Sequence, residues 1–313
     1  MDKEHIYNSP LVYQRADPYC YKHTDGYYYF TGSVPEYDAI ELRRAKELNE
    51  LYDAEGKIIW RKHSTGPMGA HIWAPELHYI NGVWYIYFAA GDAENIWNIR
   101  PYALICHDSD PINGRWIEGG KIDVGADSFS LDMTTFFNHG KQYTLWAQTL
   151  GEGDNSSVYI AEMKNPLELA SRAVSTYPEY EWERRGIPVN EGPAVLKHDG
   201  KIFVVYSAAN TGANYCMGML WCNEEDDLLD VNSWHKLKKP VMKSCPGTSQ
   251  YGPGHNSFTT DRGMDIVIYH SRSYKDIDGD PLYDPNRHAR AAVISYDEHG
   301  FPVFPVPIAD NRK

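Results

Sequence analysis

Three carboxylates frame the chemistry. Asp17, Asp132 and Glu191 each stand directly before an apolar, strand-like run, in "DPYCYKHTDGYYYFTGSV" (17–34), "DMTTFFNHGKQYTLWAQT" (132–149) and "EGPAVLKHDGKIFVVYS" (191–207). Two further segments share the layout with other leading residues. "APELHYINGVWYIYFAAG" (74–91) opens on Ala74, and "HNSFTTDRGMDIVIYHSRS" (255–273) opens on His255. Carboxylates gathered in one site support two chemistries. One is cleavage of a glycosidic bond, which needs a general acid and a base or nucleophile flanking the bond. The other is binding of a cation by oxygen ligands. Like charges in a partly desolvated site raise one another's pKa, and that cost points to use.

What would bring these residues together is a repeat. Each segment has an apolar run, a polar turn with glycine (Gly26, Gly82, Gly140, Gly200, Gly263) and a second apolar or aromatic run. The leading residues Asp17, Ala74, Asp132, Glu191 and His255 are separated by 57, 58, 59 and 64 residues. Five copies at a near-constant period predict a repeat architecture. Runs such as "VWYIYFAAG" and "IFVVYSAA" around "NG" and "DG" read as β-hairpins. Further strands are expected at 102–108, 157–163, 215–222 and 289–296. About four strands per ~60 residues, repeated radially, predict an all-β, five-bladed β-propeller. A β-sandwich or jelly roll would not give a repeat of this length. The stretch "ELRRAKELNEL" (41–51) is the one helix-like segment. No linker divides the chain, so residues 1–313 read as a single propeller domain. The innermost strand of each blade lines the central channel, so the five leading residues should converge at one end of it.

Composition narrows the partners. The chain has 313 residues and a net charge of −13, with 24 tyrosines and 9 tryptophans. The acidic balance argues against nucleic acid and against an anionic membrane surface. No apolar run is long enough for a transmembrane helix. The start, "MDKEHIYNSP", has no apolar leader, and the five cysteines form no C-x-x-C pair. Both observations predict reduced thiols and a cytoplasmic location. The acidic loop "DIDGD" (276–280) begins like a calcium loop but has Arg287 where an EF-hand needs glutamate, and it reads as a solvated turn. No phosphate loop, dinucleotide fingerprint, H-E-x-x-H or G-x-S-x-G pattern is present.

The segments "RADPY" (15–19), "HIWAPELHYINGVWYIYF" (71–88), "SLDMTTFFNHGKQYTLWA" (130–147), "NEGPAVLKHDGKIFVVYS" (190–207) and "GPGHNSF" (252–258) resemble glycoside hydrolase family 43. The resemblance covers all five repeats. It implies a five-bladed propeller that removes arabinofuranose or xylose with inversion. Asp17 then resembles the general base, Glu191 the general acid, and Asp132 the third acid that tunes and orients Glu191. An ionised Asp132 would keep the proton on Glu191 near neutral pH, and Asp17 should be more exposed or better hydrogen-bonded, so that it stays ionised. Arg287, in "DPNRHAR" (284–290), sits where the family has an arginine on sugar hydroxyls, with Arg290 as its competitor and a surface salt bridge as the other reading. His255 resembles the channel histidine that in some relatives holds a central cation or its water. Simple hydrogen bonding is the alternative. His71 and Trp73 are candidates for one wall of the sugar pocket, with core packing the rival for Trp73. No cofactor is required for the chemistry, and a structural calcium or sodium ion in the channel is left open.

The substrate reading follows from the same resemblance. "GPGHNSF" and "DPLYDPNRHAR" are similar to the compact, exo-acting α-L-arabinofuranosidases. The expected substrate is an arabino-oligosaccharide, as in arabinan degradation. A β-xylosidase or endo-arabinanase of the same family, and a carbohydrate-binding propeller without catalysis, are the alternatives. Retention of all three acids argues against the last of these. Sequence does not set the oligomeric state.

Overall fold

The computed structural model describes residues 7–149 and 156–312. Five antiparallel sheets follow one another along the chain and pack side by side around an axis. Their inner strands are Ala16–Lys22, Ala70–Ile80, Ser130–Asn138, Asn190–His198 and Tyr251–Asp261. Each is followed outward by its hairpin partner and then by further strands, which makes the expected five-bladed propeller. The strands expected at 102–108, 157–163 and 215–222 fall within or close to the third strands Arg100–Cys106, Ser156–Asn165 and Cys216–Asn223. The one expected at 289–296 divides into His288–Val293 in the fifth blade and Ser295–Tyr296, which pairs with Pro302–Val303.

Turn chemistry sets the hairpins. In blades 2 to 5 the inner strand joins its partner through two residues, Asn81-Gly82, His139-Gly140, Asp199-Gly200 and Arg262-Gly263, all at positive φ. That is the turn whose twist matches the flanking strands. Blade 1 has a longer connection, from Lys22 to Tyr28.

Two expectations change. The helix-like 41–51 stretch is strand in its first half and 3-10 helix in its second: Ala39–Ala45 is the third strand of blade 1, and a short 3-10 turn, Leu48–Tyr52, follows. Tertiary pairing overrides the helical propensity of Glu41, Arg43 and Arg44. Glu41 is buried, takes Arg15 at 2.7 Å and Arg43 at 2.8 Å, and so has its charge satisfied inside the blade. The second change concerns the fifth blade, which has three strands rather than four. Its outer position is filled from the other end of the chain. Val12 bridges Ala289, and Ala289 N–H donates to Val12 O at 2.9 Å while Leu11 N–H donates to Ala289 O at 2.8 Å. The first residues thus close the ring onto the last blade. Leu11 and Val12 are fully buried in a cluster with Leu48, Leu51, Ile266 and Ile268.

Closure by a buried side chain outside any regular strand is open to test. Leu11→Ala should lower unfolding stability by about 2–5 kcal/mol, as for other fully buried leucines. Urea unfolding checks this, and a loss under half a kcal/mol would show that the first residues do not fasten the ring.

Candidate active site

The inner strands do not run as plain ladders. Each has a bulge at the same depth, and at that bulge one residue takes positive φ: Asp17 (52°), Ala74 (46°), Asp132 (58°), Gly192 (53°) and His255 (44°). Left-handed backbone is uncommon outside glycine, and Asp and His tolerate it better than most. Bulges bend a strand and re-aim its side chains. Here the bend turns Asp17, Asp132 and His255 into a shared pocket at the end of the ring where the inner strands begin.

The fourth blade departs from the sequence register by one residue. Strand pairing aligns Glu191↔Ser207 with Ala16↔Ser33, Trp73↔Ala89, Leu131↔Ala147 and Gly254↔His270. The structural counterpart of Asp17 is therefore Gly192, and Glu191 precedes the bulge. Turn spacing carried this signal. In blades 2, 3 and 5 the bulge residue lies eight residues before its turn glycine, which in blade 4 selects Gly192 rather than Glu191. Glu191 still lines the pocket, and it is half-buried where Asp17 and Asp132 are buried.

Asp17 is held by a dense set of partners. Ser33 donates its hydroxyl to Oδ2 at 2.6 Å. His255 Nδ1 lies 3.3 Å from Oδ1, and Arg287 Nη1 lies 3.5 Å from it. Burial alone would push the carboxyl up. The positive charges of His255 and Arg287 and the Ser33 hydrogen bond outweigh it, and the pKa is held down at about 2. Neither exposure nor hydrogen bonding alone keeps Asp17 ionised: the charges of His255 and Arg287 do most, and the Ser33 hydrogen bond adds to them.

Asp132 and Glu191 go the other way. Asp132 Oδ2 accepts the Gly192 N–H at 2.9 Å and stands 4.0 Å from His255 Nδ1. Burial raises Asp132 to about 6 against the opposing pull of His255. Burial also raises Glu191, to about 7, and the neighbouring Asp132 adds to the rise. The two share a proton near neutrality, with Glu191 the better holder. His255, whose imidazole burial would discharge, is instead raised by Asp132, Asp17 and Glu191 around it.

The remaining candidates separate. Arg287 is buried, lines the pocket and donates to the Tyr37 hydroxyl. Arg290 is elsewhere, against Ser271, Ser9 and Asp310 beneath the ring closure. Trp73 lines the pocket. His71 does not reach it, but stacks on Trp73 at 4.3 Å and 20°, its Nδ1 bound to the Ile96 carbonyl oxygen and its Nε2 to the Tyr283 hydroxyl. "DIDGD" is a largely exposed loop, as expected, and its last residue, Asp280, also lines the pocket. As for a cation, His255 turns Nδ1 toward Asp17 and Asp132, and among the described residues no three His, Cys, Asp or Glu side chains are grouped to hold a metal. The carboxylates around His255 favour its charged form, against the pull of burial.

Several pocket residues escaped sequence reading. Tyr215 donates its hydroxyl to Glu191 Oε1 at 2.7 Å, and Trp97, Phe129, Ile187 and Leu282 form apolar walls of a cavity of about 560 Å³. They lie on loops outside the repeat. Ser33, Ser207 and His270 did leave a trace, as polar residues ending the apolar runs "YYFTGS", "VVYS" and "IVIYHS". Each accepts a hydrogen bond from the bulge N–H of the next blade: Ser33 from Ala74 (2.8 Å), Ser207 from His255 (2.6 Å) and His270 Nδ1 from Asp17 (3.0 Å). The result is one ionised carboxylate and one protonatable carboxyl, on different blades, facing the same cavity.

The electrostatic division can be read without any substrate. Carboxyl-carbon NMR should show Glu191 titrating near 7. Asp132→Asn removes a neighbouring negative charge and should bring that titration down by about one unit. An unmoved Glu191 titration would refute the coupling.

Comparison with known proteins agrees with this geometry. The model for "Glycosyl hydrolases family 43" matches residues 7–302. A relative from Streptomyces avermitilis, named an extracellular exo-alpha-(1->5)-L-arabinofuranosidase, is 50% identical over 308 residues, which are 97% of this chain and 64% of that protein. The chain thus spans just under two thirds of that relative's length. A Streptomyces chartreusis protein of the same name is 48% identical over 279 residues, 88% of this chain and 85% of its own. The crystal structure of an alpha-L-arabinofuranosidase from Lactobacillus brevis superposes with a TM-score of 0.96 at 48% identity, covering 99% of this chain and 100% of that one. The names of the two Streptomyces proteins overturn the cytoplasmic expectation. That expectation rested on the start of the sequence and on the cysteines, and five free thiols, four of them buried, report packing rather than compartment. Matched over all five blades by the family model and about half identical to these relatives, the chain belongs to the glycosyl hydrolases family 43.

Proposed function

We propose that this protein is an inverting, exo-acting α-L-arabinofuranosidase that releases terminal arabinofuranose from arabino-oligosaccharides. The observation that carries the reading is the split between Asp17, held at about 2, and Glu191, raised to about 7, across one cavity. An inverting glycosidase needs that pair: one carboxylate to activate water, and one carboxyl to protonate the leaving oxygen from the other side. The names of relatives about half identical to it support arabinofuranose as the sugar.

In this mechanism Asp17 takes a proton from water as the water oxygen forms its bond to the anomeric carbon. The glycosidic bond breaks, its electron pair stays with the leaving oxygen, and Glu191 delivers a proton there. One water is consumed, and one free sugar of inverted configuration is released. Asp17 ends protonated and Glu191 ionised, and exchange with solvent restores both. Asp132 acts on Glu191 through charge and through the Gly192 N–H beside it. Arg287, on Asp17 and facing the cavity, is placed to take a sugar hydroxyl, and Trp73, backed by His71, to form an apolar wall. His255 stands between Asp17 and Asp132, where its imidazole orients both carboxyls.

Proton NMR of the first-formed sugar from an α-arabinoside should show the β-anomer, and an initial α-anomer would refute inversion. Nitrophenyl α-L-arabinofuranoside and arabino-oligosaccharides should be cleaved in preference to nitrophenyl β-D-xyloside. Equal or better cleavage of the xyloside would move the reading to a xylosidase. Asp17→Ala should abolish hydrolysis of every substrate. Glu191→Ala should cost roughly 10²–10⁴-fold on arabino-oligosaccharides and much less on nitrophenyl arabinofuranoside, whose leaving group needs little protonation.

A further inference from the structure

Tyr215 has no place in the repeat and no counterpart among the leading residues, yet it is the side chain that touches Glu191. It precedes the third strand of blade 4, Cys216–Asn223, and only 1% of it is exposed. Its position is built from several sides. The backbone N–H donates to the Gly212 carbonyl at 3.1 Å. The ring lies parallel to His270, at 2° and 5.7 Å between centroids. On another side is Gly254, where a Cβ would come within 2.3 Å of Tyr215 Cε1. A glycine at 254 therefore opens the slot in which the ring sits. His270 is itself fixed, because its Nδ1 accepts the Asp17 N–H.

We propose that Tyr215 is a positioning residue for the general acid: its hydroxyl, held in the slot between Gly254 and His270, occupies Oε1 of Glu191 and so assigns the transferable proton to Oε2. The inference rests on Glu191 being the general acid. A carboxyl has two oxygens, and only one faces the leaving group productively at a time. A phenol that donates to Oε1 makes the protonated Oε2 the favoured form. Burial, and then the charges of Glu191, Asp132 and Asp17, push the phenol well above its ordinary pKa, so it stays a donor wherever Glu191 titrates. The charged groups around the pair are Asp132, Asp17, His255 and Arg287, and His270 is kept neutral chiefly by burial, with Arg287 adding to the effect.

The bond does more as the reaction proceeds. When the proton leaves Oε2, negative charge grows on the carboxylate, and a hydrogen bond to a charged acceptor is the stronger kind. The benefit is greatest where proton transfer is most advanced, on sugars with poor leaving groups. The same bond favours the ionised form of Glu191 and opposes the rise that burial and Asp132 cause.

Tyr215→Phe keeps the ring in its slot and removes only the donor. Loss of a hydrogen bond to a charged group predicts about a 10- to 100-fold fall in kcat/KM on arabino-oligosaccharides. Nitrophenyl arabinofuranoside should lose far less, and the basic limb of the pH–rate profile should move to higher pH. Glu191→Gln is measured in parallel. If Glu191→Gln loses activity equally on both substrates, the general-acid assignment itself fails. If Glu191→Gln is selective but Tyr215→Phe is uniform across leaving groups with an unmoved basic limb, the role given to Tyr215 is overturned. Gly254→Ala, checked for folding by circular dichroism, should reproduce the Tyr215→Phe pattern by displacing the ring. Wild-type kinetics in folded Gly254→Ala would remove the slot from the argument.

Discussion

Everything at the site depends on a break in the pleat that recurs in all five inner strands. A regular strand would send successive side chains to alternate faces of the blade. A left-handed residue at the same depth in each strand interrupts that alternation and turns Asp17, Asp132 and His255 toward the axis. The same break frees an N–H from the ladder. Ser33, Ser207 and His270, each on the second strand of the preceding blade, take up three of these donors, and Asp132 takes the one from Gly192. The bulge is thus both the device that aims these side chains and a point at which neighbouring blades are tied together. At four of the five positions, Asp17, Ala74, Gly192 and His255, the bulge N–H is held by a hydrogen bond across the blade interface, and unusual backbone tends to gather at functional sites.

On that frame the charges divide by their neighbours rather than by depth. Asp17 and Asp132 are both buried, at 8% and 4% exposure, yet one is held down and the other pushed up. Asp17 has Arg287, His255 and the Ser33 hydroxyl, whereas Asp132 has a more distant His255 and one backbone N–H. With Asp132 and Glu191 sharing one proton, the two anionic charges that remain in this set are balanced by His255 and Arg287. A neutral set costs less to bury than unpaired charge. It also leaves the single mobile proton on the carboxyl that is the least buried of the three, where an incoming glycoside can meet it.

Further out, the walls are supplied by segments that obey no repeat. Trp97, Ile187 and Leu282 come from connections between strands, and Tyr283 meets His71 behind Trp73. A propeller of this kind offers a fixed set of axial positions and a free choice of loops around them. The inner strands carry the three carboxyls, and the loops supply the apolar walls around them.

The sequence by itself determined the elements and three of the carboxyls that line the pocket. Period, turn glycines and aromatic runs are local patterns, and they were enough to give five blades and to single out Asp17, Asp132 and Glu191. It misjudged what depends on distant partners. The first half of the 41–51 stretch is strand, where Arg15, far from it in sequence, pairs with Glu41 inside the sheet. A separate, local difference is the fourth blade, where the bulge falls on Gly192, one residue after Glu191, as the turn spacing records. Only the tertiary structure decided that Arg287 and not Arg290 faces the pocket, that His71 supports Trp73 from behind, and that Tyr215 holds Glu191. Arg287 meets Asp17 and Tyr215 meets Glu191 across tens to hundreds of positions, and His71 is held behind Trp73 by the distant Tyr283; no periodicity encodes which loop side chain meets which strand when the ring closes. The directions of the pKa shifts belong to the same class: a carboxylate is a type in the sequence, but acid or base is a property of what surrounds it in space.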